Sequence, residues 1–136
     1  MRSIISQSIV LPAPAATLYE TYLDPVRHAE LTGAPVEIGI QPGAAFRAFD
    51  GAITGTMLCV RPPLLVLQSW RSINFHATDS DSTLILAFVP QGRDGRIELI
   101  QIDVPEQDYQ GVTTGWEKFY WAPWRKLLSK AQSSER

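Results

Sequence analysis

The stretch from Val112 to Lys130 reads VTTGWEKFYWAPWRKLLSK and is the longest segment with apolar residues at helical spacing. Thr114 followed by Glu117 has the spacing of a capping box, which predicts a helix start at this point. At about 3.6 residues per turn, six residues share one face: Val112, Trp116, Phe119, Tyr120, Pro123 and Leu127. An amphipathic C-terminal helix is therefore the element around which we expect the core to form.

Two features distinguish this predicted helix. Five aromatic residues fall within the nine positions from Trp116 to Trp124, so the helix needs a broad concave partner. Pro123 has no N–H, which removes the partner of the Phe119 carbonyl, and its ring distorts the helix at a cost of roughly 3 kcal/mol. We expect a kink between Phe119 and Pro123. A second apolar stripe, if exposed, would mark a dimer or partner-protein surface: Trp121, Trp124 and Leu128.

Length and charge limit the possible classes. A chain of 136 residues predicts one domain, over residues 1–131, followed by a disordered tail at 132–136. The net charge of -2, without a basic block, argues against nucleic acid or a membrane as partner. Cys59 is the only cysteine, the N-terminus has no secretory pattern, and no apolar run approaches about 18 residues. A cytoplasmic protein is expected.

The remaining chain predicts an α+β fold in the order β-α-α-β6-α. Ser3 to Leu11 reads as a strand, and apolar spacing predicts a helix from Ala15 to Leu23. Asp24-Pro25 predicts the start of a second helix that ends at Gly33. Six β-rich pieces follow, separated by turn signals such as Asp50-Gly51, and predict an antiparallel meander: Val36 to Ile40, Ala44 to Phe49, Ala52 to Arg61, Leu64 to Arg71, Ser82 to Pro90 and Arg96 to Val104. A curved sheet wrapped around the C-terminal helix follows.

This order, with particular motifs on it, resembles the START/Bet v 1-like (SRPBCC) superfamily, and within it the family of heat-shock-protein-90 ATPase activator homologues. The motifs are Pro42-Gly43-Ala-Ala-Phe46, Ile53-Thr54-Gly55, Pro62-Pro63-Leu64, Ser69-Trp70-Arg71 and Gly115-Trp116 with Phe119-Tyr120. The resemblance implies a helix-grip fold with an apolar cavity between sheet and helix. It also implies a chaperone-linked role in the stress response, although the eukaryotic activators use a second domain for which this sequence has no room.

Eight residues are predicted to line the cavity: Tyr22, Phe46, Met57, Trp70, Trp116, Phe119, Tyr120 and Pro123. Pockets for small molecules are mostly apolar with a few polar groups that orient the ligand. Tyr22, Tyr120, Gln68 and Arg71 are candidates for that orienting role. Because side chains alternate along a strand, Arg71 is expected to be solvated if Trp70 faces inward. The alternative is that the same aromatic residues fill a solid core.

Signals for catalysis are weak. His28 and His76 are expected to be solvated surface residues, and Cys59 is expected to pack in a strand. Asp103, Glu106 and Asp108 are expected to form a solvated linker before the last helix, where negative charge is favourable. The sequence has no GxSxG turn, glycine-rich phosphate loop or metal-ligand spacing. No catalytic residue, metal or cofactor is predicted.

The sequence therefore predicts non-catalytic binding of a small hydrophobic or amphipathic ligand. Two alternatives stay open. One is a chaperone-linked regulator, with a chaperone or a second copy of the chain as partner. The other is a cyclase or hydrolase of the same superfamily, in which a cavity tyrosine or acid transfers a proton.

Overall fold

The computed structural model describes residues 2–62 and 65–134. Their strands form one antiparallel sheet in the order β1-β6-β5-β4-β3-β2. The strands are β1 (Arg2–Leu11), β2 (Ala45–Ala48), β3 (Ile53–Arg61), β4 (Leu65–Ser72), β5 (Ser82–Gln91) and β6 (Asp94–Pro105). The helices are α1 (Ala15–Leu23), α2 (Pro25–Thr32), α3 (Tyr109–Trp116) and α4 (Ala122–Ser134), with a π-helical turn at Glu117–Trp121. The predicted α+β class with a C-terminal helix on an antiparallel sheet is confirmed.

The two short helices connect opposite edges of the sheet, since β1 and β2 are its two edge strands. The Asp24 carboxylate accepts the backbone N–H groups of Val26 and Arg27 at 2.9 and 3.2 Å, which satisfies the free donors at the start of α2. Gly33, with φ of +79°, ends the helix in the left-handed conformation that glycine adopts without strain. The predicted start and end of α2 follow from these two residues.

The core lies between the inner face of the sheet and the C-terminal helical segment. Trp116, Trp121 and Trp124 are buried. They lie over a face built by alternate residues of the central strands, as the two-residue period of a strand requires: Leu84, Leu86, Phe88, Ile97 and Leu99, all at most 2% exposed. This arrangement is the helix-grip architecture.

Two glutamines on the sheet fix the position of the helical segment. Trp116 Nε1 donates to Gln101 Oε1 at 2.9 Å, and Gln101 Nε2 donates to Ser82 Oγ at 3.0 Å. Gln7 Nε2 donates to the Thr113 carbonyl at 3.0 Å and its Oε1 accepts from Trp121 Nε1 at 2.8 Å. Because buried donors without partners are costly, these bonds select one register of helix on sheet.

The kink expected near Pro123 takes the form of the π turn. The Ala122 N–H donates to the Glu117 carbonyl, five residues back, which is the spacing of a π turn. Pro123 cannot donate to Phe119, so the regular hydrogen-bond ladder is already interrupted at this point. The irregular turn places Phe119 and Tyr120 on the side that faces the site described below.

Several local predictions were wrong. Val36 to Ile40 contains a single bridge, Glu37 with Arg47, so five strands rather than six follow α2. The last helix begins at Tyr109, and Thr114 lies inside it, where its hydroxyl donates to the Gln110 carbonyl instead of capping. The strand predicted from Val36 to Ile40 does not form because Pro35, Gly39 and Pro42 are closely spaced, which leaves no room for a continuous ladder of backbone hydrogen bonds.

The proposed exposed stripe on the last helix was also wrong. Trp121 and Trp124 are only 4% and 2% exposed because they pack onto the sheet, and Leu128 is half-buried. Helix α4 continues to Ser134, past the point where a disordered tail was predicted to begin. Residues 135 and 136, and Pro63 and Leu64 of the predicted turn, lie outside the described residues.

The described helices include none that is long and apolar enough to span a membrane. Within the described ranges, no group of three or more His, Cys, Asp or Glu side chains is close enough to hold a metal ion. Cys59 is half-buried on β3, opposite Leu67 of β4.

Replacing Gln101 with methionine should lower the free energy of unfolding by about 1 to 3 kcal/mol, since the Trp116 N–H loses its partner in a buried position. Urea unfolding at neutral pH measures this change. Gln110→Met, at an exposed position of α3, is the matched control and should stay within about 0.5 kcal/mol of wild type. An equal loss in both variants would contradict the role given to Gln101.

Candidate functional site

A cavity of about 260 Å³ lies between α3, the π turn and the sheet. Helix α3 and the π turn form one wall, and residues of the β2–β3 turn and of β4 form the other. The lining residues are Phe49, Ala52, Ile53, Trp70, Ser72, Asn74, Asp108, Gly111, Val112, Gly115, Trp116, Phe119 and Tyr120. The set divides into an aromatic wall, a polar end and an open strip of helix.

The aromatic wall is a continuous series of ring contacts around Trp116. Its ring centroid lies 4.8 Å from Tyr120 and 6.4 Å from Trp70. Phe49 contacts both Tyr120, at 5.9 Å, and Phe119, at 5.5 Å, in edge-to-face geometry. Offset and edge-to-face arrangements are favourable for aromatic rings, so these contacts stabilise one another.

The open strip consists of Gly111 and Gly115, one helical turn apart on α3. A Cβ atom at Gly115 would meet only the Phe119 ring, at 3.6 Å, which is an ordinary contact distance. A Cβ atom at Gly111 would lie 3.1 Å from Asp108 Oδ1. The missing side chains leave the cavity open along this side of the helix.

The polar end is formed by Ser72, Asn74 and Asp108. Asp108 is 5% exposed, and its Oδ2 accepts from Ser72 Oγ at 2.6 Å. Asn74 Nδ2 lies 3.4 Å from Asp108 Oδ1, a long hydrogen bond. A buried carboxylate therefore lies at one end of an otherwise apolar cavity.

Behind the aromatic wall, Tyr120 belongs to a buried hydrogen-bonded chain. His28 is fully buried, with Nδ1 2.7 Å from the Tyr22 carbonyl and Nε2 2.9 Å from the Tyr120 hydroxyl. Since a carbonyl can only accept, Nδ1 carries the proton and Nε2 accepts from Tyr120. The Tyr22 hydroxyl in turn donates to Gln68 Oε1.

Burial determines the protonation states of His28, Tyr120 and Tyr22. Desolvation lowers the pKa of His28 to about 4, although its hydrogen bond to the Tyr22 carbonyl acts in the opposite direction. Desolvation also raises the pKa values of Tyr120 and Tyr22 above the usual tyrosine range. At neutral pH both tyrosines are neutral and His28 is an uncharged imidazole.

The cavity opens to solvent beside Phe119, which is 46% exposed. Phe49, its ring partner, has a φ of +52°, and the next residue, Asp50, has a φ of +55°. Left-handed backbone is strained for a bulky residue, and such strain is concentrated at functional sites. The strained turn holds Phe49 against Phe119 at the opening.

The predicted cavity residues divide into two groups. Trp70, Trp116, Phe119 and Tyr120 line the cavity. Tyr22, Phe46 and Met57 are buried and lie outside the lining; Tyr22 stacks on Phe46 and contacts a second gap that has no room for water. Pro123 is half-buried in α4, also outside the lining.

The expectations for the charged and polar residues need three corrections, for His28, Asp108 and Gln68. His28 and Asp108 are buried, not solvated, because each has partners far away in the sequence. Gln68 is buried beside Tyr22, away from the lining. Arg71 lies on the other face of β4, as expected with Trp70 facing inward, and its guanidinium donates to the carbonyls of His76 and Asp79 and to the Asp81 carboxylate, which holds the β4–β5 loop.

Sequence reasoning missed Phe49, Ser72, Asn74, Asp108 and the two glycines. One signal was available: Asp108, Gly111 and Gly115 follow helical spacing on the side that also carries Trp116. Placing the start of the last helix at Thr114, after Asp108 and Gly111, hid that pattern, since the helix begins at Tyr109. No signal in the sequence pairs Ser72 or Asn74 with Asp108.

Comparison with known sequences gives two findings. The sequence profile of a family described as "Activator of Hsp90 ATPase homolog 1-like protein" matches residues 12–128. An uncharacterized protein of Schizosaccharomyces pombe is 33% identical over 119 residues, which cover 77% of this chain and 34% of that protein. The chain thus spans about a third of the length of this curated relative.

Solved structures share the fold. An HSP90 activator from Plasmodium falciparum superposes with a TM-score of 0.83 at 17% identity, covering 93% of this chain and 96% of that one. A protein from Mesorhizobium loti gives 0.80 at 18% identity, covering 94% and 98%. Ara h 8.0201 gives 0.73 at 14% identity, covering 95% and 99%. At these identities the likeness concerns the fold.

The buried His28 makes stability depend on pH. Its pKa falls from 6.5 in the unfolded chain to about 4 in the folded one, so the unfolded state alone binds a proton between these values. Above pH 6.5 this difference in pKa contributes about 3 kcal/mol to the free energy of unfolding. The contribution is lost as the pH falls toward 4.

Urea unfolding from pH 7 to pH 4.5 measures this dependence. The variant His28→Asn should be less stable at pH 7 and should show a flatter profile. His76→Asn, at an exposed histidine, should keep the wild-type profile. A wild-type profile that is flat through this window would contradict the assignment.

Proposed function

The chain belongs to the family of Activator of Hsp90 ATPase homolog 1-like proteins, and on that premise we propose that residues 1–131 form one domain that binds a small apolar or amphipathic molecule without chemical conversion. The ligand would lie in the cavity between α3, the π turn and the sheet. The observation that carries this proposal is the pair of glycines inside α3.

Gly111 and Gly115 each weaken a helix by roughly 0.5 to 1 kcal/mol relative to alanine. Neither has a positive φ, so the backbone conformation does not require glycine. At Gly115 an added Cβ fits at an ordinary distance, so close packing does not require glycine either. What Gly115 supplies is free volume in the cavity, at the expense of helix stability, and this favours a binding cavity over a filled core.

The size and lining of the cavity support the same proposal. Its volume of about 260 Å³ lies just below the range of roughly 300 to 1,000 Å³ for small-molecule sites, which limits the ligand to a small molecule. The aromatic wall supplies apolar contact, and Ser72, Asn74 and Asp108 supply a polar end that can orient a ligand. A compact molecule with one polar group fits this description.

The titratable groups favour binding over proton transfer. A general acid or base works best with a pKa near the working pH. Burial moves the pKa of Tyr120 upward and that of His28 downward, so both move away from neutrality. In addition, the Tyr120 proton is already donated to His28, which leaves its oxygen able only to accept.

Filling the cavity from α3 tests this proposal. Gly115→Leu should remain folded and should weaken binding of the neutral fluorophore N-phenyl-1-naphthylamine at least about tenfold, because the new side chain takes the ligand's place. Thr114→Leu adds the same residue at an exposed neighbouring position and should bind like wild type. Fluorescence titration gives the dissociation constants, and circular dichroism confirms folding. No saturable binding to wild type, or equal binding to Gly115→Leu, would contradict the proposal.

A second candidate function is regulation of a heat-shock ATPase. The family description and the similarity to the HSP90 activator from Plasmodium falciparum favour it. The outer face of the sheet offers an apolar row for a protein partner: Leu67, Ile85 and Ile100 lie side by side across β4, β5 and β6, and Ile100 is 42% exposed.

The ATPase rate of an Hsp90 with and without this protein measures that function. Stimulation by wild type that falls severalfold in Ile100→Lys, and persists in Gly115→Leu, is the expected result if the outer sheet face contacts the chaperone. A rate unchanged by wild-type protein at saturating concentration would exclude this candidate for the chaperone tested.

A further inference from the structure

The polar end of the cavity holds a carboxylate with unused acceptor capacity. An ionised carboxylate has about four lone-pair sites, and Asp108 uses one strongly, for Ser72 Oγ at 2.6 Å. Its Oδ1 has only the long contact to Asn74 Nδ2 at 3.4 Å. Asp108 is the N-cap residue of α3, yet its side chain accepts none of the first-turn N–H groups, all of which lie in the described part of the chain.

No cation of the described residues forms an ion pair with Asp108. Among the described lining residues none is Lys, Arg or His. Arg71 is occupied on the other face of β4, and Lys118 Nζ lies outside, 5.3 Å from the centroid of the exposed Phe119 ring. Buried carboxylates are normally paired with a positive charge, so this one lacks its usual partner.

Oδ1 also lies beside the open strip of α3. A Cβ atom at Gly111 would lie 3.1 Å from this oxygen, so any larger residue there would cover it. The same cavity is lined by the rings of Trp70, Trp116 and Tyr120. Aromatic faces attract ammonium groups, by about 0.5 to 2 kcal/mol depending on burial.

We propose that the cavity selects a ligand whose apolar body carries a protonated amine, with the ammonium group bound to Asp108 Oδ1 and the body packed against the aromatic wall. The inference rests on the proposed function, since it concerns the same cavity. It excludes carboxylic acids as preferred ligands, because a second negative charge would lie beside a buried first one.

Three compounds of one shape test the inference on the wild-type protein: 2-(2-naphthyl)ethylamine, 2-(2-naphthyl)ethanol and 2-naphthylacetic acid. Isothermal titration calorimetry at pH 7 should show the amine binding at least about tenfold more tightly than the alcohol, with the acid weakest. In Asp108→Asn the advantage of the amine over the alcohol should fall below about threefold. Glu106→Gln, which removes a negative charge at an exposed position outside the lining, should retain the preference for the amine.

The outcomes separate the two proposals. If N-phenyl-1-naphthylamine binds but the alcohol or the acid equals or exceeds the amine in wild type, the amine inference is overturned and the cavity proposal stands. If neither that fluorophore nor any of the three compounds binds, the cavity proposal itself fails. Because the comparison of compounds uses wild-type protein, it decides the question even if Asp108→Asn does not fold.

Discussion

The structure depends on how one aromatic helical segment is held on one face of an antiparallel sheet. Trp116 is the centre of that contact: its indole N–H donates to Gln101, and its ring contacts Trp70, Tyr120 and Trp121. A purely apolar contact between helix and sheet would tolerate sliding, whereas a buried hydrogen bond is lost as soon as the register changes. The cavity is the space left beside this fixed contact, where α3 carries glycines instead of side chains.

Stability and open space conflict in this region, and local features show how the chain accommodates both. The glycines weaken α3, the π turn interrupts the helix before Pro123, and Phe49 adopts left-handed backbone at the opening. The stabilising features of the same region are the dense ring contacts of the aromatic wall and the buried hydrogen bonds that connect Tyr120, His28 and Tyr22. Departures from ideal local structure therefore collect around the cavity, as is common at functional sites.

Much of the fold could be predicted because its signals are local or periodic. The turn residues, the capping Asp24 and the aromatic face of the last helix lead to the helix-grip class, and the family resemblance agrees. Half of the predicted cavity residues lie in the lining, and three of these four, Trp116, Phe119 and Tyr120, are on the last helical segment, whose face can be predicted from spacing alone. The other four, Tyr22 and Pro123 on helices and Phe46 and Met57 on strands, lie outside the lining, because the position of an open space depends on how helices and strands pack together, which spacing along the sequence does not reveal.

The buried polar residues were the least predictable. His28 lies in a helix of polar composition, and its partner Tyr120 is 92 residues away in the sequence. Asp108 looks like part of an acidic linker until Ser72 and Asn74 are found beside it. Gln68 and Gln101 occupy inward positions where the alternating pattern predicts apolar side chains, and only long-range hydrogen bonding explains them.

A crystal structure of the protein grown with 2-(2-naphthyl)ethylamine tests the central claim most directly, because it locates both ends of the ligand. The naphthyl ring is expected to lie against Trp116 and Trp70, with the amine nitrogen within hydrogen-bond distance, about 3 Å, of Asp108 Oδ1. A cavity closed by Phe49 and Phe119 in the presence of saturating amine, or a ligand bound only elsewhere on the protein, would contradict it.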